Sequence, residues 1–195
     1  MPLQRLTLGV LLLIGLTSPA NAGFVTNGGF ETGNFNGWTQ FGNTNSTFVT
    51  SLLGVYSPHS GTYAAYFGPS GSTGGISQSI TGLTPGESYH LSFWLKNFIS
   101  SSSNSFSATI DGNTAYKLTN APDFPYTEVT YDFTASSTSA VLTFTFRNDP
   151  AVYGLDDVSI TANAPNVVPA PPGLMMVLTG LPVLGLVRRF RRTAA

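Results

Sequence analysis

Short runs of alternating apolar and polar residues extend through the chain between Gly23 and Ala162, and clusters of Gly, Pro, Asn and Ser separate them. Alternation with a period of two is typical of strands that are buried on one face. The clearest run extends from Tyr89 to Asn97, with Tyr89, Leu91, Phe93 and Leu95 on one face and His90, Ser92, Trp94 and Lys96 on the other. No stretch of this region has the period of an amphipathic helix. The pattern predicts an all-β sandwich or barrel.

Further strands follow from the same pattern, and turn residues separate them. The predicted strands are Tyr63–Phe67, Ile76–Ile80, Phe106–Ile110, Ala115–Leu118, Glu128–Phe133, Leu142–Arg147 and Gly154–Thr161. A Pro-Gly pair within Thr84–Glu87 favours a type II turn before the strand at Tyr89. The pair Asp111-Gly112 favours a tight hairpin turn.

The two ends of the chain carry a different pattern. Residues 1–22 are predicted to be a secretory signal peptide, with Arg5 before an apolar run and Ala20-Asn21-Ala22 as the cleavage site. At the other end, a Pro-rich linker at 163–172 precedes a C-terminal segment at 173–195. That segment has an apolar run of about fifteen residues, which is short for a membrane span of about twenty. The β-domain is thus expected at 23–162, outside the membrane that the C-terminal segment enters.

Composition and charge narrow the possible partners of this domain. It contains no cysteine, so its fold must be held by packing or by a metal. Apart from the targeting segments it has three basic and nine acidic side chains, a net charge of −6. An acidic, lysine-poor domain lacks the electrostatic surface that binds nucleic acid. We therefore predict no nucleic-acid partner.

The C-terminal segment resembles a known sorting signal. The motif Val168-Pro169-Ala170-Pro171, an apolar run, and then Arg188, Arg189, Arg191 and Arg192 follow one another. This order resembles the PEP-CTERM signal of Gram-negative bacteria, with Ala170 where the family usually has Glu. The resemblance implies transient anchoring in the inner membrane, cleavage by an exosortase, and delivery to the cell surface or extracellular matrix. The alternative is a single-span anchor that is never cut, with its arginines on the cytoplasmic side.

Two motifs of the β-domain resemble a second family. The first is N-G-G-F-E-T-G-N-F-N-G-W at Asn27–Trp38, and the second is G-L-D-D-V-S-I at Gly154–Ile160. Together with the strand at Tyr89, they resemble the galactose-binding-like jelly rolls, which include many carbohydrate-binding modules. The resemblance covers nearly all of residues 24–161 and implies a jelly-roll β-sandwich. We expect Trp38 to lie in its core.

The same resemblance implies a structural calcium ion that joins the first and last strands. Carboxylate and carbonyl oxygens are the ligands that Ca²⁺ takes. The matching side chains here are Glu31, Asp156 and Asp157. In the alternative interpretation, Glu31 is a solvated turn residue and Asp157 accepts backbone hydrogen bonds.

Trp94 is the best candidate for a sugar-binding side chain, because the apolar face of a sugar ring stacks well on an indole. The pattern places it on the outer face of its sheet with His90 and Lys96, which could donate hydrogen bonds, and Tyr116 could extend the platform. In the alternative, a loop such as Ser100–Ser105 shields Trp94.

Catalytic patterns are missing from the sequence. It has two histidines, His59 and His90, and no cysteine. It has no G-x-S-x-G nucleophile elbow, no H-E-x-x-H zinc-binding motif and no glycine-rich phosphate-binding loop. His59 is expected in an exposed loop. Glu128 and Asp132 would lie about 13 Å apart, too far for a glycosidase pair. The neighbours Asp156 and Asp157 are expected to point to opposite faces.

The sequence therefore predicts an exported, non-enzymatic cell-envelope or extracellular protein that associates with exopolysaccharide or biofilm matrix by carbohydrate binding. The alternative is a structural surface or matrix protein that acts through protein contacts without a small ligand.

Overall fold

The alternating runs form ten strands in a computed structural model, which describes residues 23–51, 54 and 56–163. The strands are β1 Thr39–Gly42, β2 Thr47–Thr50, β3 Ala64–Phe67, β4 Gly74–Thr81, β5 Ser88–Asn97, β6 Asn104–Ile110, β7 Asn113–Thr119, β8 Phe124–Thr134, β9 Ser139–Asn148 and β10 Tyr153–Ala162. The described residues contain no helix that is long and apolar enough to cross a membrane. The predicted signal peptide and the sorting signal at 168–192 lie outside the described residues and stay predictions.

The strands form two five-stranded antiparallel sheets. The order in the first sheet is β1-β4-β9-β6-β7, and the order in the second sheet is β2-β3-β10-β5-β8. Strands that are neighbours in space are mostly distant in the chain, as in a jelly roll. The predicted all-β jelly-roll sandwich is confirmed.

The core lies between the inner faces of the two sheets. On β5 it receives Leu91, Phe93 and Leu95, and on β9 it receives Phe144 and Phe146, all fully buried. Phe146 stacks on Phe67 of the second sheet, with ring centroids 3.9 Å apart and planes at 1°. Burying each such side chain stabilises the fold by about 1.5–3 kcal/mol. The predicted inward faces of these strands are confirmed.

The two predicted turns have the expected backbone conformations. Glu87 N donates to Thr84 O at 3.1 Å, and Gly86 has a φ of +86°, as the third residue of a type II turn requires. Asp111 and Gly112 both have positive φ, of 47° and 77°, which is the mark of a type I′ hairpin turn. The alternation missed β1, which is exposed throughout, and β2, which is half-buried throughout.

The N-terminal motif packs against the last strand. Val158 N donates to Gly28 O at 3.0 Å, and a Cβ on Gly28 would lie 1.9 Å from Val158 O. A glycine is therefore needed where the two backbones meet. The Trp38 side chain is buried as expected, and its indole N–H donates to Asn27 O at 3.2 Å. The motifs at the two ends of the domain thus meet in one place.

Candidate functional site

The outer face of the second sheet carries the predicted sugar-binding residues of β5. In the register of the sheet, Trp94 lies between Asp156 of β10 and Glu128 of β8. One step along the strand, Lys96 lies beside Gly154, and in the other direction Ser92 lies between Ser159 and Thr130. Trp94 therefore stands between a region of small hydroxyl side chains and a region without a side chain on β10.

Aromatic rings cover the end of this face beyond Lys96. We call Phe48, Tyr56, Tyr66, Phe98 and Tyr126 the aromatic end. Tyr66 packs against Phe48, Tyr56 and Phe98, with centroid distances of 5.5, 5.1 and 5.9 Å. A Cβ on Gly154 would lie 2.8 Å from Tyr126 Oη, so the absence of a side chain at Gly154 lets Tyr126 lie over β10.

The hydroxyls of Tyr66 and Tyr126 in the aromatic end are shielded from water. The Tyr66 hydroxyl donates to Tyr56 O, and burial raises the pKa of Tyr66 to about 12. The Tyr126 hydroxyl lies close to it and is also buried, which raises the pKa of Tyr126 strongly. Tyr66 directs its proton to Tyr56 O, so Tyr66 Oη can accept from the neighbouring Tyr126 hydroxyl. Both hydroxyls are thus enclosed within the aromatic end.

Lys96 extends into the aromatic end. Its Nζ lies 4.1 Å from the ring centroid of Phe98 and 5.7 Å from that of Tyr126. A cation over an aromatic face is attracted by the ring quadrupole, by about 0.5–2 kcal/mol depending on exposure. Lys96 is thus held on the predicted face, two residues from Trp94 on β5.

His59 covers one face of Trp94. The imidazole and indole centroids are 3.7 Å apart with planes at 13°, and His59 also meets the Tyr126 ring edgewise at 5.5 Å. His59 lies in an exposed loop, as the sequence predicted, whereas the shield that the sequence named was Ser100–Ser105. That segment instead hydrogen-bonds to Asp123 and Asp149. A shield over Trp94 exists, but it comes from a different loop.

The three predicted calcium ligands lie together around Gly29. A Cβ built on Gly29 would have Asp157 Oδ1 at 3.6 Å, Glu31 Cγ at 3.7 Å and Asp156 Oδ1 at 3.9 Å. Asp156 and Asp157 do not point to opposite faces, so that expectation was wrong. A bulge interrupts the pairing after Asp156, and Asp157 has a φ of +49°, so both carboxylates reach the same loop.

The carboxylates hold the loop that carries His59. Asp156 Oδ2 accepts the backbone N–H groups of His59 and Ser60 at 2.9 and 3.2 Å. Asp157 Oδ2 lies 2.6 Å from His59 Nδ1, and its Oδ1 accepts the Ser60 hydroxyl at 2.7 Å. Burial raises the pKa of Asp156 to about 7. These contacts fix the imidazole against Trp94.

Glu31 completes the same arrangement. It accepts the N–H groups of Thr62 and Tyr63 at 2.9 and 3.1 Å. A side chain on Gly61, whose φ is +61°, would lie within 2.2 Å of Glu31 Oε1. No three His, Cys, Asp or Glu side chains of the described residues are arranged to hold a metal ion. As they stand, the carboxylates accept N–H and O–H donors of the loop, and calcium stays a prediction.

The domain matches a known protein family. Residues 22–152 match the CBM_4_9 family model, described as a carbohydrate binding domain. The chain belongs to this carbohydrate-binding domain family. No curated protein matches the chain.

Solved structures of carbohydrate-binding modules have a similar fold. One is TmCBM61 in complex with β-1,4-galactotriose, with 18% identity and a TM-score of 0.57 over 72% of this chain and 99% of that chain. Another contains the CBM22-1 and GH10 modules of Clostridium thermocellum Xyn10B with xylohexaose, with 21% identity and a TM-score of 0.54 over 75% of this chain and 30% of that chain. At these identities the likeness shows the fold alone.

An enzyme also has a similar fold. It is a Stig cyclase from Fischerella sp., with 14% identity and a TM-score of 0.54 over 74% of this chain and 98% of that chain. The jelly roll therefore does not by itself separate binding from catalysis.

The remaining predicted residues of the carbohydrate-binding domain have different positions. His90 is on the outer face of the second sheet, with Nδ1 2.7 Å from Asp132 Oδ1, and this hydrogen bond lowers the pKa of Asp132. Tyr116 is not near Trp94, so its place in the platform was wrong. It belongs to β7 of the first sheet, and its ring packs on Phe106, with centroids 6.1 Å apart. Alternation predicts which residues share a face, but it does not predict which sheet a strand joins.

Proposed function

We propose that this protein is an exported, non-enzymatic binding protein that attaches to polysaccharide through the outer face of its second sheet. The observation that carries the proposal is the position of Trp94 in a domain of the carbohydrate-binding family: a half-buried indole, flanked in register by polar side chains. The apolar C–H groups of a sugar ring stack on aromatic faces, and hydrogen bonds to its hydroxyls set its orientation.

His59 determines which side of Trp94 a sugar uses. It occupies one face of the indole, and within the described residues no other aromatic ring stacks on Trp94. A sugar can therefore stack on Trp94 only if the opposite face of the indole is open. Ser92 and Thr130 lie beside Trp94 and are too small to exclude a sugar ring, while Glu128 can accept hydrogen bonds from sugar hydroxyls. Lys96 supplies a donor at the other end.

The proposal includes a place in the cell. The predicted signal peptide directs export, and the PEP-CTERM-like segment directs processing by an exosortase at the inner membrane. The ligand is then an exopolysaccharide or another matrix polymer at the cell surface. A pulse-chase experiment that compares the wild type with a variant of Arg188, Arg189, Arg191 and Arg192 tests this route. Cleavage near Pro169 that depends on these arginines supports it, and an uncut chain in both supports the plain anchor.

Binding of the full chain to a panel of immobilised polysaccharides tests the main proposal. We expect Trp94→Ala to weaken binding by about thirtyfold, the usual effect of removing a central aromatic contact. Phe41→Ala is the matched control, because Phe41 is an exposed aromatic residue on β1 of the first sheet. Equal binding by the two folded variants would contradict the proposed face.

One observation favours the second candidate function, a structural matrix protein without a small ligand. His59 already fills one stacking face of Trp94, as a ligand-free structural role would allow. In that case the wild type binds none of the polysaccharides, and a crosslinking experiment on intact cells captures neighbouring surface proteins instead.

We also propose, independently of the sugar site, a structural calcium ion at Glu31, Asp156 and Asp157. Ca²⁺ would have to displace the N–H donors of the loop from these carboxylates. Thermal unfolding of the full chain with calcium and with a chelator tests it. A rise in Tm with calcium that disappears in Asp157→Asn supports the ion, and identical curves show that the loop is held without it.

A further inference from the structure

Cations are rare in the described part of the chain, and each has a distinct environment. Arg147 is paired with Asp149 at 2.7 Å. Lys117 is exposed on β7 of the first sheet. Lys96 is half-buried on the outer face of the second sheet, beside Trp94. One of three cations therefore lies on the proposed ligand face of a domain whose net charge is −6.

Lys96 has aromatic neighbours instead of a carboxylate. Its ammonium lies over Phe98 and near Tyr126, and its register partner on β10 is Gly154. All nine acidic side chains of the sequence are in the described part, and none lies within 4.0 Å of Lys96 Nζ. The charge of Lys96 is thus held in position without being neutralised.

The acidic residues of the same face have other roles. Asp132 is paired with His90, and Asp156 and Asp157 bind the loop at His59 and Ser60. Glu128 is exposed beside Trp94 and forms no ion pair within the described residues. No rearrangement of paired charges is needed for Lys96 to meet an anion from outside.

An ammonium among aromatic rings favours an anionic partner over a neutral hydroxyl. Hydrogen bonds between charged groups are about twice as strong as neutral ones, and partial exclusion of water increases the difference. Lys96 is two residues from Trp94 on the same face, about 7 Å along the strand. Because the sugar stacks on the Trp94 face beside Ser92, the carboxylate at Lys96 comes from the next sugar of the polymer.

We propose that the ligand is an acidic polysaccharide, and that Lys96 binds a uronate carboxylate while Trp94 stacks on the sugar ring. This inference rests on the proposed function and assigns its class of ligand. The net charge of −6 opposes a polyanion at long range, but at physiological salt the Debye length is about 8 Å. Screening removes most of the distant repulsion, but Glu128 beside Trp94 lies within this length, so the contact at Lys96 has to exceed the repulsion from Glu128.

The test uses one polymer in two forms. Polygalacturonate carries a carboxylate on each sugar, and chemical reduction of those carboxyl groups gives the matched neutral galactan. Affinity electrophoresis measures binding of the full chain to both forms for the wild type, Lys96→Gln and Lys117→Gln. Both variants lose one positive charge, and glutamine keeps a hydrogen-bond donor, so only the position of the lost charge differs.

We expect the wild type to prefer the uronate form, Lys96→Gln to lose about tenfold in affinity for that form alone, and Lys117→Gln to match the wild type. Preference for the neutral form, or equal losses in the two variants, would overturn the acidic ligand and leave the polysaccharide proposal in place. If the wild type binds neither form nor neutral xylan, both proposals fail.

Discussion

The outer faces of the two sheets are built from the same alternating pattern, yet they differ in nearly every property. On the first sheet a row of hydroxyl residues crosses all five strands in register, and its members are Thr39, Ser77, Thr143, Thr109 and Thr114. On the second sheet, the outer face carries Trp94 and Lys96, and the ring of His59 lies over Trp94.

Their contrast shows what makes a sheet face a candidate binding site. Large exposed apolar side chains on the first face are limited, among the described residues, to Phe41 and Val141 at 36% and 46% exposure. The second face gathers rings around the bare backbone of Gly154 and holds a cation among them. The short polar side chains of the first face form hydrogen bonds with water. An aromatic ring held beside unpaired polar groups, in contrast, offers a ligand both stacking and hydrogen bonds.

The largest expected effect on stability comes from the core between the two sheets. Phe146 is buried on the first sheet and stacks on Phe67 of the second. We expect Phe146→Ala to lower the free energy of unfolding by about 3–5 kcal/mol, because it leaves a cavity between the sheets. Chemical denaturation measures this. A loss below about 1 kcal/mol would show that the sheets do not depend on this contact.

The second-largest expected effect is a dependence of stability on pH, with opposite signs for an acidic residue of each sheet. Burial raises the pKa of Asp156 from its ordinary value of 3.8 to about 7, so the folded state binds this proton more tightly than the unfolded state. The stability it contributes is present below about pH 4 and is lost as the pH rises towards 7. We expect a loss of about 2 kcal/mol between about pH 5 and pH 8, and none of it in Asp156→Asn.

Asp149, beside Arg147 of the first sheet, provides the control of opposite sign. Hydrogen bonds from Ser70 and Arg147 hold the pKa of Asp149 below its ordinary value, so its contribution is lost as the pH falls. Thermal unfolding across pH compares the two variants. If Asp149→Asn and Asp156→Asn change the profile in the same direction, the assignment of Asp156 is wrong.

A smaller effect concerns the position of Trp94. We expect His59→Ala to cost about 1 kcal/mol of stability and to shift the tryptophan emission to longer wavelength, because the stacked ring no longer shields the indole from water. The other tryptophan, Trp38, is buried and contributes a constant signal. An unchanged spectrum would mean that His59 does not cover Trp94 in solution, and Trp94→Phe combined with His59→Ala assigns the signal.

The smallest effect is expected on the first face. Thr143 lies in the middle of the hydroxyl row, between Ser77 and Thr109. We expect Thr143→Ala to change the stability by less than about 0.5 kcal/mol and to leave polysaccharide binding unaltered. A clear loss of binding in this variant would move the proposed site to the first sheet.

Most of the fold could be predicted from the sequence because the alternation is local. The faces of β5 and β9 follow from a period of two, and the turns at Gly86 and Gly112 follow from the need for positive φ. The edge strands β1 and β2 could not be predicted, because neither alternates between buried and exposed positions. The candidate site was predicted only in part: Trp94 and Lys96 were assigned to the correct face, whereas Tyr116 was assigned to the wrong sheet.

By itself, the sequence determined the class of fold and the inward positions of β5, β8 and β9. Only the tertiary structure decided what covers Trp94. His59 is thirty-five residues away in sequence, and its ring is positioned by the carboxylates of Asp156 and Asp157, which a bulge turns towards one loop. Contacts between such distant segments depend on how the strands are ordered in the sheets, and a local pattern of polar and apolar residues carries no information about that order.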